Sequence, residues 1–510
     1  MAEEGEVRYG DKGYFGAGTK GYDAAMRRAT GGHPLGIFDL LRNERISKKR
    51  SPVERCFSVM KTVFRAGHVR YRCGNLQKHE SWVNHNLLWR IHQLRNSYIF
   101  RATTNFKSKG EHRNLFGDKD IVTIIERIAM DNETIPKIPL ARPYFDSDEL
   151  DEINGVLNSG WVSQGPKVKE FEDKAAEYLG VKYAIAVANC TAALHLSLLS
   201  IGIKEGDEVL VADYTFPATG HSVLYCRAKP VFIDVDSKTY NIDPKLIKYK
   251  ITNRTKAIIP VHTFGQPAEM DEIVEIAKDH NLKVIEDAAC AFGAKYKANF
   301  AGTIGDIGCF SFHARKGITT GEGGMAVTNN KTIANTIRNL SIFGVTSAWN
   351  REKSNNLIIP KFMNVGYNYK MSDVTAAIGV AQLRKLEKII ERKRELAKHW
   401  DEKLQDIDLV ESPYVSDNVR HIYQSYVVLI DKRIDRNKMI EILLKNGVQT
   451  QIGTYASHLQ PVYKSNDNCP ISLDIFNRSS ALPMYYQLSE EEIDTVIDSL
   501  KVVMGELKLT

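Results

Sequence analysis

The sequence predicts an α/β protein built on a mostly parallel sheet covered by helices on both faces. Three observations lead there. Short apolar runs bounded by turn residues alternate with helical patterns from Ala184 to Thr328, the rhythm of repeated strand-helix-strand units. A hydrophobic content of 43% with 26% charged residues over 510 positions is that of a soluble globular chain of two or three domains. The residues with chemical potential fall at the carboxyl ends of the strands, where sheets of this kind bind ligands.

The elements follow in order. LARPYFDSDELDEINGVLNSGWVSQGPKVKEFEDKAAEYLG, beginning at Leu140, reads as an Asp-capped amphipathic helix, a turn, and a second helix from about Pro166. Ala184 to Val187 is a buried strand that turns into a helix at ANCTAALHL. A helix N-terminus presents free N–H groups and partial positive charge, so Thr191 and Ala192 are candidate donors to a phosphate. EVLVADYTFPATGHSVLYCRAKPVFIDVD repeats the rhythm, and AIIPVHTFGQPAEMDEIVEIAKDHNLKVIEDAACAFGA adds a further unit ending at Asp287. GDIGCFSF (305–312) and MAVT (325–328) are two more strands. Lys316 sits between them in SFHARKGITTGEGG (311–324), close to Ser311 and His313. A lysine in a glycine-rich turn suits a Schiff-base role, although a solvated surface lysine fits the local spacing too. Ser372 to about Trp400 is a long amphipathic helix rich in i,i+4 charge pairs, leading into a smaller C-terminal α+β domain.

Charge divides the chain. Residues 1–134 hold 24 Lys and Arg against 15 Asp and Glu, a balance of +9, which leaves −2 for the rest of a chain whose total is +7. The basic front contains DKGYFGAGTKGYDAAMRR and RNERISKKRSPVERCF, and TTNFKSKGEHRNLFGDKD (103–120) reads as a linker. The expected organisation is a basic segment over 1–100, a linker over 101–134, a large domain over 135–389 and a small one over 390–510. Seven cysteines without a CxxC pair or a Cys/His ligand cluster in the sequence argue for reduced thiols and no metal site. No run of about 18 apolar residues and no signal-type N-terminus is present, so the expectation is a cytoplasmic protein with no membrane partner.

From about Ile135 onward the chain resembles the sugar-nucleotide aminotransferases, fold-type-I enzymes that use pyridoxal 5'-phosphate. The resemblance rests on S-F-H-A-R-K followed by G-E-G-G, on E-D-A-A placed 29 residues before the lysine, on G-Y-N-Y-K-M and on H-L-Q-P-V-Y. It implies that Lys316 carries the cofactor as a Schiff base and moves protons. Asp287 pairs with the pyridine nitrogen, Ser311, Thr191 and Ala192 bind the phosphate, and Phe216 stacks on the ring. Cys290 replaces the Gln or His usual beside the ring oxygen, and Cys190 replaces the glycine usual before the threonine. Trp161, His313 and His458 fall at substrate positions. Trp161 and Phe216 read equally as packing residues, and His458 as a surface histidine. Asn368 is implied to reach the phosphate of a neighbouring subunit, which makes the expected assembly a homodimer with shared sites. The implied reaction is ping-pong transfer of an amino group to a nucleotide-linked keto sugar, with L-glutamate as donor.

Three alternatives remain at this level. A cofactor-dependent sugar dehydratase of the same family would carry histidine where Lys316 stands. A DNA-binding or transposition protein is raised by the front segment, which resembles the C-terminal part of insertion-sequence transposases, with Asp11 and Glu54 as two of three metal-binding carboxylates. Nothing upstream supplies the first aspartate, so the segment reads as a remnant and nucleic acid is not the expected partner. A catalytically idle scaffold is the third.

Overall fold

The computed structural model describes residues 137–345 and 359–508, and two short strands near the N-terminus, Glu6–Val7 and Met26–Arg27, that pair antiparallel. The chain forms two compact units, Met1–Glu133 and Thr134–Thr510. Asp11, Glu54 and the tract 103–120 lie outside the described residues.

In the second unit, α1 (Ser147–Ser159) and α2 (Pro166–Leu179) come first. Asp146 closes a capping box on α1: its side chain accepts from the Asp148 amide while Glu149 accepts from the Asp146 amide. Seven strands then build the main sheet: β1 (Tyr183–Val187), β2 (Glu208–Ala212), β3 (Lys229–Ile233), β4 (Thr255–Ile259), β5 (Lys283–Asp287), β6 (Ile307–Ser311) and β7 (Gly324–Thr328). Their spatial order is β1-β7-β6-β5-β4-β2-β3, and all neighbours are parallel except at β7, which runs antiparallel to both β6 and β1. No helix connects β6 to β7. Without a crossover helix, the chain returns beside the strand it left, in the opposite sense. Helices α3 (Cys190–Ser200), α4 (Ala218–Tyr225), α5 (Met270–Asp279) and α6 (Lys331–Ser341) accompany the sheet.

The long helix α7 (Asp373–Leu404) is capped by Ser372, whose hydroxyl oxygen accepts from the Thr375 amide at 3.2 Å. Its first half packs on α1 and α2. Farther along, Leu396, Trp400 and Leu404 enter a second core built on a four-stranded antiparallel sheet. That sheet comprises β8 (Val410–Glu411), β9 (Tyr426–Ile430), β10 (Gln451–Ile452) and β11 (Ser479–Leu482), in the order β8-β9-β11-β10. Helices α8 (Arg436–Lys445), α9 (Pro470–Arg478) and α10 (Glu490–Lys508) complete it. A short ladder, Tyr214–Thr215 with Tyr455–Ala456, ties the loop after β2 to the C-terminal part. Among the described residues no helix is long and apolar enough to cross a membrane.

Candidate active site

Asp287 is the last residue of β5 and is only 4% exposed. Its carboxylate accepts from the Thr219 hydroxyl at 2.7 Å and from the Ala289 amide at 3.1 Å. Burial raises its pKa; these two donors and the Lys316 ammonium pull the other way, and the net direction is up. Lys316 lies in the β6–β7 loop, which is folded back on itself. The Lys316 amide donates to the His313 carbonyl, and both the Thr320 amide and the Thr319 hydroxyl donate to the Phe312 carbonyl. The lysine amine reaches Cys290 Sγ at 3.1 Å. Burial disfavours its ammonium, but the neighbouring thiols and the Asp287 carboxylate outweigh that, and its pKa is raised. Asp287, Cys290 and Lys316 are thus one group, brought together by the parallel pairing of β5 with β6 and the loop that follows.

A second group assembles one strand pair away. Ser311 pairs with Gly324 across β6 and β7, and Gly324 pairs with Val187 at the end of β1. A Cβ on Gly324 would stand 2.2 Å from the Asn189 carbonyl carbon and 2.4 Å from the Cys190 nitrogen, so only glycine lets β7 lie against the start of α3. The register thereby sets Ser311 beside a helix N-terminus. The Ala192 amide there is already engaged: Asn189 caps α3 by accepting from it at 2.8 Å, as a strong N-cap residue does. Thr191, in the first turn, has no acceptor for its amide within the helix. Asn189 was readable as an N-cap from its position before the helix. Thr219 carries no local sequence signal and is placed only by the fold.

Phe216 is 64% exposed, so it is not a core residue. It stands three residues before Thr219, whose amide donates to the Phe216 carbonyl, and its ring meets Tyr455 edge-on at 6.2 Å. The remaining candidates are placed less directly. His458 is nearly buried, with Nδ1 2.7 Å from Asp213 Oδ2 and its amide 2.6 Å from Asp213 Oδ1. Cys469 joins these two within ligand distance, a grouping that sequence spacing did not reveal. The Asp213–His458 hydrogen bonds and one from Ser472 to Asp213 account for the arrangement without an ion. Trp161 is half exposed, and its amide bonds Ser159. His313 faces Glu322 at 3.8 Å. Asn368 is exposed, and its side-chain oxygen accepts from Lys370. Trp161 and Asn368 make no hydrogen bond to the Asp287–Lys316 group, and His313 meets it only through its backbone carbonyl, which accepts from the Lys316 amide.

The arrangement fits pyridoxal phosphate. A buried carboxylate suits a protonated ring nitrogen, a lysine amine belongs to the same group, and a glycine-gated helix N-terminus suits a phosphate. The family model of the DegT/DnrJ/EryC1/StrS aminotransferases matches residues 143–501. The chain belongs to that family. GDP-perosamine synthase of Escherichia coli O157:H7 is 40% identical to this aminotransferase over 365 residues, 71% of this chain and 97% of that one. The crystal structure of the aminotransferase TlmJ from Streptoalloteichus hindustanus superposes with a TM-score of 0.68 at 31% identity, covering 72% of this chain and 99% of that one. The PMP-form structure of the putative sugar aminotransferase Spr1654 from Streptococcus pneumoniae gives 0.69 at 27% identity, covering 73% of this chain and 100% of that one. These matches confirm the expected α/β fold and the aminotransferase reading.

Proposed function

We propose that this aminotransferase moves the amino group of L-glutamate onto a keto sugar carried by a nucleotide. The observation that carries the reading is Lys316 beside Asp287 and Cys290, on a scaffold 40% identical to a GDP-perosamine synthase. Pyridoxal phosphate supplies, when bound, an aldehyde for the amino group and a protonated ring that stabilises negative charge at the reacting carbon. Lys316 would hold that group, and its amine, once free, would carry the proton taken from the donor's Cα. Asp287 keeps the ring nitrogen protonated, and Thr219 and the Ala289 amide keep Asp287 oriented. Ser311 and Thr191 would hold the phosphate. The Ala192 amide would join them only on leaving the Asn189 side chain. Phe216 would stack on the ring. Trp161, His313 and His458 remain candidates for contact with the sugar nucleotide, His458 with its ring oriented by Asp213.

The reading makes the protein a homodimer. Phe343, Phe362, Met363 and Val365 are exposed at 46%, 67%, 63% and 90%, an apolar surface adjoining the turn that carries Asn368. A second copy covering it would bring Asn368 to the partner's phosphate. Lysine at position 316 disfavours the dehydratase alternative. The basic front segment takes no part in the reaction, and catalysis resides in residues 135–510. The test is a panel of nucleotide-linked keto sugars incubated with the holoenzyme and L-glutamate, with 2-oxoglutarate and amino sugar measured together. Stoichiometric formation of both from at least one member supports the reading. Release of 2-oxoglutarate with no amino sugar from any member would reject the acceptor class.

A further inference from the structure

One cavity touches Lys316 from the side of α7. Its lining includes Arg142, Arg315, Lys316 and Lys393 together with Tyr144, Tyr485 and Tyr486, and no lining residue is acidic. Lys393 stands out among them. It is 5% exposed, and its only hydrogen bond among the described residues goes to the Gln424 carbonyl at 3.3 Å. An ammonium has three N–H donors, so two are without a protein acceptor there. No carboxylate among the described residues forms an ion pair with it. Burial without a counter-ion pushes its pKa down to about 8. A buried cation of this kind is costly unless something anionic binds beside it.

The cavity is narrow but opens to solvent, and it admits one end of a carboxylate beside Lys393. Gln382 closes one end, donating to the Tyr144 carbonyl and to Glu149, so that acid is already engaged away from Lys393. The Gln424 side chain donates to the Arg315 carbonyl while its own carbonyl receives Lys393, which links the Lys316 loop to α7.

We propose that Lys393, with Arg142 and Arg315 at the cavity, forms the subsite for a carboxylate of a dicarboxylic amino donor. The proposal rests on the donor reading above and assigns its recognition to named side chains. It makes Lys393 a donor-specificity residue that leaves the nucleotide-sugar half-reaction alone.

The test uses the holoenzyme and measures the two half-reactions separately by absorbance, alongside calorimetric binding of glutarate, a dicarboxylate without an amino group. In Lys393→Met the half-saturating glutamate concentration and the glutarate Kd should both rise about 10- to 100-fold, the range for losing a hydrogen bond to a charged group. Lys393→Arg should stay within a few-fold of wild type. The nucleotide-sugar KM should not move, and the melting temperature of Lys393→Met should not fall, since an unpaired buried ammonium has been removed. Unchanged donor and glutarate constants would overturn the proposal. So would a rise confined to the nucleotide-sugar KM, which would make the anion a phosphate, or failure of arginine to restore binding. If glutamate fails to convert even the wild-type enzyme, the donor reading falls. Glutarate calorimetry then still decides the subsite.

Discussion

Two lysines on α7, about two turns apart, have opposite surroundings. Lys385, in the first half of the helix, is 8% exposed and meets Asp146 and both carboxylate oxygens of Glu149, the residues that cap α1. Lys393, farther along, is 5% exposed and meets a single carbonyl. Burial works against the ammonium in both. In Lys385 the Asp146 and Glu149 carboxylates outweigh it and the pKa is raised, whereas in Lys393 burial prevails. The difference teaches that a buried charge with protein partners ties elements together, while a buried charge left facing a cavity is available to a ligand. Lys385 joins α7 to α1; Lys393 lines the cavity that Lys316 also lines.

The largest effect expected lies at the cavity. Lys316→Ala should reduce turnover on the order of 1,000-fold or more, because it removes both the attachment point and the proton carrier, with little change in unfolding free energy. Steady-state assay and chemical denaturation on the same preparation check this. Next comes Lys385→Met. Breaking a buried pair from one side strands the Glu149 carboxylate and should cost about 3 kcal/mol in denaturant unfolding, with donor and acceptor KM values unchanged. A mutant as stable as wild type would erase the distinction between the two lysines.

The pH dependence of stability should separate them with opposite sign. Lys385 has a folded pKa above its unfolded value, so its contribution is present at neutral pH and fades as pH rises through the folded pKa. Lys393 has a folded pKa near 8, below the unfolded value of about 10.4. Between these values the unfolded chain binds a proton that the folded chain does not, so this group makes stability rise with pH. Subtracting the curves of Lys385→Met and Lys393→Met from wild type should show the Lys393 difference rising between about pH 8 and 10.4, while the Lys385 difference stays level there and falls only above about pH 10.4. Glu149 adds an acid-side check. Burial raises its pKa, but the Asp146 amide, Lys385 and Gln382 outweigh that and hold it below its usual value. Its contribution is therefore lost as pH drops below about 4.3 toward the folded pKa, and Lys385→Met should diminish that loss. The smallest effect expected lies outside both regions. Deleting residues 1–130 should leave turnover within about two-fold, because the compact unit Thr134–Thr510 holds every residue of the proposed site.

Much of this was legible in the sequence for physical reasons. Strand ends and caps are local signals. The Asp cap of the first helix, the long helix beginning near Ser372 and the strand holding Ser311 follow from residue type and spacing, and the structure reproduces them. Asp287 and Lys316 were identifiable through the family resemblance, on E-D-A-A and on S-F-H-A-R-K with G-E-G-G; a carboxylate after an apolar strand and a lysine in a glycine-rich turn are weak signals by themselves. Thr219 was not, because its contact with Asp287 spans 68 residues and depends on how α4 packs. Ala192 was only half readable: its place at the helix start was clear, but its competition with Asn189 for the same amide emerges only from side-chain geometry. Lys393 did leave a trace. It falls on the stripe of Leu386, Ile389, Ile390, Leu396, Ala397 and Trp400, all buried, where helical periodicity calls for an apolar side chain. A charge on that stripe is the signal of a partner or a ligand, and periodicity alone does not say which.

The most direct test of the central claim is to reduce the holoenzyme with borohydride and map the modified peptide by mass spectrometry. The cofactor should be fixed to Lys316, in the peptide that follows Arg315, with Lys385 and Lys393 unmodified. Fixation at Lys393, or at any lysine other than Lys316, would contradict the assignment of Lys316 as the residue around which the site is built.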